Sequence, residues 1–310
     1  MNPQPVSPSK PLLIIGGIVM LLIMSAFVPA RWIGVKPQVS NYTPVDFNKL
    51  TTVNDFAKDA DGNGQISWKE LILSSEGGAA AAQELQNSQP DPKAIAALND
   101  PNNLTSSFSK NLYVASTYLE SNNITDEASQ QNVVNQLMAE EAAKMVPTTY
   151  SFKDLNVVKN EANETVRVYG NAVAVILDDV ITEQAALEDL TAVQNFTDTK
   201  KAEDLAPLAK NYTRVDAKLK KLLALPVPLS ASAYHLLAIN RIALYRDTLG
   251  DLSHASTDPL RATLAFQKYQ NSTMSVLRIH QELSHYFDSK NISFTSKEKG
   301  YVFTVGYTPK

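Results

Sequence analysis

Residues 59–70 place oxygen-bearing side chains at a spacing that could bind a metal ion. Carboxylate or amide oxygens fall at the first, third and fifth positions of this stretch, on Asp59, Asp61 and Asn63. Glu70 closes the stretch with a carboxylate that can bind through both oxygens. Hard cations such as Ca²⁺ take about six to eight oxygen ligands, so one short loop must turn sharply to supply them. Gly64 permits such a turn because glycine readily adopts a positive φ.

Two further ligands would come from Gln65 through its backbone carbonyl and from Ser67 through its hydroxyl or a bound water. The whole spacing resembles that of an EF-hand calcium loop, and Ile66 occupies the apolar position where paired loops usually join. The resemblance implies Ca²⁺ as the cofactor. The ligands that it implies are Asp59, Asp61, Asn63, Gln65, Ser67 and Glu70.

Other interpretations of this loop remain open. It could be a turn between two helices that binds no ion. Ser67 and Glu70 also match a capping box, which is compatible with a calcium loop because a helix begins at that point. The sequence has no second loop of this spacing, and Lys58 stands where EF-hands more often have an apolar residue. A lone loop with few carboxylates predicts weak binding, with a dissociation constant on the order of 10⁻⁵ to 10⁻³ M.

The composition excludes several classes of function. The 310-residue chain has a net charge of -4 at pH 7, which argues against the basic stripe of a nucleic-acid-binding surface. It contains no cysteine, which excludes a disulfide framework, a thiol nucleophile and thiolate zinc ligands. The sequence also lacks a nucleophile elbow and a glycine-rich phosphate loop. We therefore expect a protein that is not an enzyme.

Two patterns resemble catalytic motifs only in part. His280 and His285 are five residues apart, whereas a helical zinc motif needs the four-residue spacing that aligns both imidazoles. His280 and His235 instead continue apolar stripes, so we expect structural histidines. Glu120 is a candidate general acid for a cell-wall glycan-cleaving enzyme, but no motif surrounds it. Such an enzyme is a distant alternative.

Residues 11–28 form an apolar run without a charge. Extended to Arg31, the run is about 20 residues long, which is enough for a helix to cross roughly 30 Å of hydrocarbon. Arg31 and Trp32 follow where such a helix would meet water.

We therefore expect a cytoplasmic tail in residues 1–10 and a single-pass transmembrane anchor in 11–33. The anchor would place 34–310 outside the cytoplasm, beginning with a linker in 34–50. The alternative is a signal peptide that is cleaved near Ala30 and yields a secreted protein.

The remainder predicts a mainly α fold. An EF-hand-like helix–loop–helix is expected in residues 51–90, and an up-and-down helical bundle in 91–310, because apolar residues recur there every three or four positions. The periodic positions include Leu104, Phe108, Leu112, Leu119, Val166, Tyr169, Val173, Ile176, Leu208, Tyr212, Val215, Leu219, Leu222, Phe266, Tyr269, Val276, Leu283 and Phe287.

The C-terminal residues depart from the helical pattern. Residues 292–294 and 301–305 flank the turn-forming stretch 296–300, which predicts a small β-hairpin. Residues 150–152 could add a third strand.

These features predict a membrane-anchored, extracytoplasmic calcium-binding protein, in which one EF-hand-like loop stabilises a helical scaffold or interaction domain. In the alternative, the helices form a sensory or partner-docking module of a cell-envelope complex. The expected partners are the membrane and an envelope protein, and not nucleic acid. The sequence leaves the oligomeric state open.

Overall fold

The computed structural model describes residues 57–74, 96–97 and 99–304. This part of the chain is mainly helical, as the apolar periodicity predicts. Its helices and strands are α1 (Trp68–Leu73), α2 (Leu104–Ser121), α3 (Glu127–Ala143), β1 (Asn156–Val158), α4 (Asn163–Leu177), α5 (Glu183–Thr199), α6 (Ala206–Ala224), β2 (Pro226–Pro228), α7 (Ser232–Ser253) and α8 (Pro259–Ser289).

The expected tail 1–10, anchor 11–33 and linker 34–50 lie outside the described residues. Among the helices that are described, none is both long enough and apolar enough to span a bilayer.

The chain divides into two compact units. The first contains the described residues up to Met145 together with Thr257–Thr263, and the second contains Val146–Ser256 and the residues from Leu264 onwards. Most of the predicted periodic positions are buried in one unit or the other, so the helical bundle is confirmed. The exceptions are Phe266, which is partly buried, and Tyr212, which is exposed.

In the first unit, α2 contacts α3, and the carboxylate of Asp258 fixes the start of α2. This carboxylate accepts hydrogen bonds from the backbone N–H groups of Leu104 (2.8 Å) and Thr105 (2.9 Å). It also accepts the N–H of Arg261 (3.2 Å), in the first turn of α8. One side chain therefore satisfies free N–H groups at two helix starts, which otherwise lack partners inside a helix.

In the second unit, α6 contacts α5, α4 and α7. The short strands β1 and β2 pair in parallel, with Val157 opposite Val227. Val227 is fully buried. Prolines at both ends of β2 remove two backbone donors, which limits the ladder to a short pairing.

The predicted C-terminal hairpin is wrong. Residues 301–303 belong to a 3-10 helix, Lys299–Phe303, and residues 292–294 form no strand. Residues 150–152 also form no strand, since Phe152 begins a 3-10 helix, Phe152–Asp154. The reason near the C-terminus is a local turn: Glu298 accepts hydrogen bonds from the backbone N–H (2.8 Å) and the hydroxyl (2.9 Å) of Thr295.

The ring of Phe294 occupies a space that two glycines leave open. A Cβ on Gly170, in α4, would lie 2.3 Å from Cζ of this ring, and a Cβ on Gly300 would lie 2.4 Å from Cδ1. Phe287 of α8 meets the same ring edge-on, with the centroids 5.0 Å apart. The C-terminal segment is thus packed onto α4 and α8 by an aromatic side chain that requires glycine beside it.

Replacing Gly170 with alanine should lower the free energy of unfolding by about 1–3 kcal/mol, because the added methyl group overpacks the Phe294 site. Gly250→Ala is the matched control, since Gly250 also lies in a helix, and its added Cβ would meet only the exposed side chain of Tyr212, at 3.1 Å. The control should be neutral or stabilised by up to about 1 kcal/mol through helix propensity. Urea denaturation followed by circular dichroism measures both. Equal stability of the two variants would contradict the packing described.

Candidate metal site

The first half of the loop curves around the carboxylate of Asp59, which accepts hydrogen bonds from three of its backbone N–H groups. Its Oδ1 accepts the backbone N–H groups of Gly62 (2.7 Å) and Asn63 (3.2 Å), and its Oδ2 accepts that of Gly64 (2.6 Å). Both glycines have positive φ, 72° at Gly62 and 82° at Gly64. The sharp turn expected at Gly64 is therefore present.

The side chains at the third and fifth positions make the same kind of turn. Asp61 accepts the backbone N–H of Asn63 at 3.1 Å, and Asn63 accepts that of Gln65 at 2.8 Å. The amide of Asn63 also donates to Asp61 at 2.9 Å. These successive Asx turns direct oxygens from alternate residues into the loop.

The carboxylate of Glu70 joins the two ends of the loop. Its Oε1 accepts the backbone N–H groups of Ala60 (2.6 Å) and Asp61 (3.3 Å) at the start. Its Oε2 accepts both the backbone N–H and the hydroxyl of Ser67 at 2.8 Å, where α1 begins. The hydroxyl oxygen of Ser67 in turn accepts the N–H of Glu70 at 3.3 Å, so the predicted capping box forms within the loop.

Glu70 is a buried, strongly acidic group, with 8% of its surface exposed. The backbone N–H and hydroxyl of Ser67, followed by the N–H of Ala60, lower the pKa of Glu70 to about 2. Hydrogen bonds donated to a carboxylate stabilise its charged form. The residue that closes the loop therefore carries its negative charge at neutral pH, as a metal ligand must.

The three acidic residues of the loop converge. Asp59, Asp61 and Glu70 each place a carboxylate oxygen within 4.8 Å of the others. Calcium–oxygen distances are about 2.3–2.6 Å, so two oxygens on opposite sides of one ion are roughly 4.6–5.2 Å apart. The spacing is therefore compatible with one shared Ca²⁺ ion. Asn63 and Ser67 are tied into the same network by their hydrogen bonds, and Gln65 by its backbone N–H.

Helix α2 contacts the loop at Ile66. The side chain of Ile66 is buried in a cluster with Ala57, Leu71 and Val114, and the last of these lies on α2. The backbone carbonyl of Ile66 accepts a hydrogen bond from Nζ of Lys110, also on α2, at 2.8 Å. Burial lowers the pKa of Lys110, and the negative charge of Glu70 opposes this shift.

Sequence reasoning did not identify Lys110 and Val114. They lie four residues apart, beside the predicted stripe of α2 that contains Phe108 and Leu112. The one signal in the sequence was Val114, an apolar residue outside the predicted stripe, which indicates that a second face of α2 is also buried.

His235 and His280 are buried, as predicted, whereas His254 and His285 are exposed. Nε2 of His235 lies 3.0 Å from the carbonyl oxygen of Leu222, which can only accept, so this nitrogen carries the proton. Nδ1 of His235 then accepts from the hydroxyl of Tyr169 at 3.1 Å. Burial lowers the pKa of both His235 and His280 to about 4. Glu120, the candidate general acid, is exposed on α2.

Comparisons of the chain with protein-family models, with curated proteins and with solved structures find no match. Its function must therefore be argued from the geometry of the loop.

The stabilising effect of Glu70 should be lost in acid. Its folded pKa, about 2, lies below the ordinary 4.5, so its contribution is complete above about pH 4.5 and disappears as the pH falls towards 2. In metal-free protein, the amide proton resonances of Ala60 and Ser67 should titrate with a midpoint near pH 2, and Glu70→Gln should remove this transition. Glu120→Gln, a change at an exposed glutamate of α2, should leave the transition intact. A midpoint near 4.5 would contradict the hydrogen bonding described.

Proposed function

We propose that this protein binds calcium, and that the loop of residues 59–70 holds one Ca²⁺ ion against helix α2. The observation that carries the proposal is the convergence of Asp59, Asp61 and Glu70 within 4.8 Å in a loop of EF-hand spacing. The role is structural or regulatory, and we assign no catalytic chemistry to the chain.

The electrostatics of the loop support a bound cation. Like charges this close disfavour one another, and a divalent ion between them converts the repulsion into attraction. The hydrogen bonds within the loop leave room for an ion, because each carboxylate has about four lone-pair sites. Asp61 accepts two hydrogen bonds and Asp59 accepts three, so each keeps a lone pair for a metal. Glu70 accepts four, so it would exchange the hydrogen bond from the Ser67 hydroxyl for the ion.

The contacts with α2 indicate how the ion would act on the protein. An isolated loop would spend part of the binding energy on its own ordering. Here the burial of Ile66 beside Val114 and the hydrogen bond from Lys110 hold the second half of the loop before any ion binds. At a hundredfold excess over the dissociation constant, Ca²⁺ would then stabilise the folded form by about 2.7 kcal/mol.

The N-terminal apolar run favours a location outside the cytoplasm, where calcium-binding modules have an affinity as weak as the one expected here. We propose that residues 11–33 anchor the chain in a membrane and that residues 34–310 lie outside the cytoplasm. Extracellular calcium modules have dissociation constants of about 10⁻⁴ to 10⁻³ M, which overlaps the range expected for a single loop.

Calcium binding can be followed by the fluorescence of Trp68, which lies in the loop. Trp32 and Trp68 are the two tryptophans of the chain, so Trp32→Phe in the full-length protein leaves one reporter. Titration in detergent micelles should give a saturable change with a midpoint of about 10⁻⁵ to 10⁻³ M. Magnesium at the same concentration should not reproduce it, and Glu70→Gln should abolish it. If the fluorescence stays constant and calorimetry detects no binding, the loop is a capped turn and the proposal is wrong.

A second experiment tests whether α2 supports the site. Val114→Ala leaves every proposed ligand in place but removes packing against Ile66, so the calcium affinity should fall roughly three- to tenfold, equivalent to about 0.7–1.4 kcal/mol. Val133→Ala is the matched control, because Val133 is equally buried in the same unit, on α3, and does not belong to the cluster around Ile66. Both variants should lose stability, and only Val114→Ala should lose affinity. An unchanged affinity in Val114→Ala would show that α2 packs beside the loop without supporting it.

A further inference from the structure

Asp189, on α5, is a buried carboxyl group that receives hydrogen bonds from three other helices. Its Oδ2 accepts from the amide of Asn211 on α6 (2.8 Å), the hydroxyl of Tyr245 on α7 (3.1 Å) and the hydroxyl of Tyr269 on α8 (2.9 Å). Only 1% of the residue is exposed. This one oxygen thus joins all four helices of the second unit that meet there.

The other carboxylate oxygen of Asp189 makes no hydrogen bond to the described residues. This atom, Oδ1, is buried. The nearby guanidinium of Arg214 donates instead to the side-chain oxygen of Asn211 (2.5 Å) and to the carbonyl oxygen of Val180 (3.0 Å). The positive charge of Arg214 therefore offsets part of the charge of an ionised Asp189, but no hydrogen bond reaches Oδ1. Burial of an ionised group without full compensation is costly.

Helix α5 does not bury its two leucines. It exposes Leu187 and Leu190, at 59% and 44%, and buries Asp189. At 100° per residue, Asp189 lies about 130° around the helix from the midpoint of the two leucines. Among the described side chains of α5, only Asp189 and Ala192 are buried. The inner face of α5 carries small or partly buried apolar side chains such as Ala192 and Phe196, and the leucines add nothing to it, so the hydrogen bonds to Asp189 contribute to holding α5 in place.

We propose that Asp189 is a proton-controlled latch, which holds α5 against α6, α7 and α8 while its carboxyl group is protonated and loosens α5 when the group ionises. The neutral carboxyl group still accepts hydrogen bonds through Oδ2, although each is weaker than to a carboxylate, and it avoids the cost of a buried charge at Oδ1. This inference does not depend on calcium binding, because the latch lies in the second unit and the loop in the first.

Burial raises the pKa of Asp189 to about 6, against the opposing effect of its three hydrogen bonds and of the positive charge on Arg214. A raised folded pKa means that the folded form holds a proton that the released form gives up. The latch is therefore strongest below about pH 4 and weakens as the pH rises through 6. Of the other groups that face this carboxyl, Asn211 does not titrate, and burial raises the pKa of Tyr245 and Tyr269, which stay neutral throughout this range.

Hydrogen exchange of the full-length protein, read by mass spectrometry, tests the latch. After correction for the intrinsic exchange rate, the protection of residues 183–199 should fall about tenfold between pH 5 and pH 7.5. Residues 163–177 of α4 should not change in this way. The carboxyl carbon resonance of Asp189 should titrate near pH 6. Protection that is equal at the two pH values, or a titration near the ordinary 3.8, would overturn the proposal.

Asp189→Asn supplies the decisive variant. Its amide oxygen can accept from the same donors and its side chain does not titrate, so the protection of α5 should be the same at both pH values. Asp198→Asn, at an exposed aspartate of the same helix, should behave like the wild type. If Asp189→Asn does not fold, Tyr269→Phe gives an independent test, because loss of one donor should move the transition to higher pH. A transition that does not move in Tyr269→Phe would overturn the latch.

Discussion

A carboxylate that leaves water must receive hydrogen bonds from the protein, because an uncompensated buried charge costs several kcal/mol. Four acidic side chains are buried in the described part of the chain: Glu70, Glu141, Asp189 and Asp258. Each receives donors from outside its own helical turn. Glu70 joins the ends of the metal loop, Asp258 joins the starts of α2 and α8, and Asp189 joins four helices. Glu141 of α3 accepts from Ser107 of α2 and from Lys144. Each of these carboxylates therefore links different segments of the chain by hydrogen bonds, and apolar side chains pack around them.

The same constraint applies to the calcium site that we propose in the first unit. The donors to Glu70 come from backbone N–H groups at fixed positions, so its carboxylate is already ionised and oriented towards Asp59 and Asp61. Helix α2 carries the contacts with Ile66 near its middle, and its first turn is fixed by Asp258. In our account, α2 therefore replaces the second EF-hand loop that a lone loop lacks. Asp189 differs from Glu70. Its hydrogen bonds do not fully offset the cost of burial, so its pKa is raised and not lowered.

Short-range patterns in the sequence were sufficient to predict the local structure of the loop. The turn at Gly64 and the capping box of Ser67 and Glu70 depend on residues only a few positions apart, and both are present. The hairpin prediction failed because the turn between Thr295 and Glu298 replaces the strand, and the sequence did not show that the Phe294 ring packs beside Gly170, more than a hundred residues away. The roles of Lys110 and Asp189 also depend on distant partners, and their residue types alone favour exposed positions. The ligand set and the membrane anchor stay predictions.

Equilibrium dialysis of the full-length protein against radioactive Ca²⁺ tests the central claim most directly, because it counts bound ions without relying on a conformational change. The account predicts one ion per chain for the wild type and for Glu120→Gln, and no bound ion for Glu70→Gln at calcium concentrations up to about 10⁻³ M. If the wild type binds no more calcium than Glu70→Gln, the acidic loop is a structural turn, and calcium has no part in this protein.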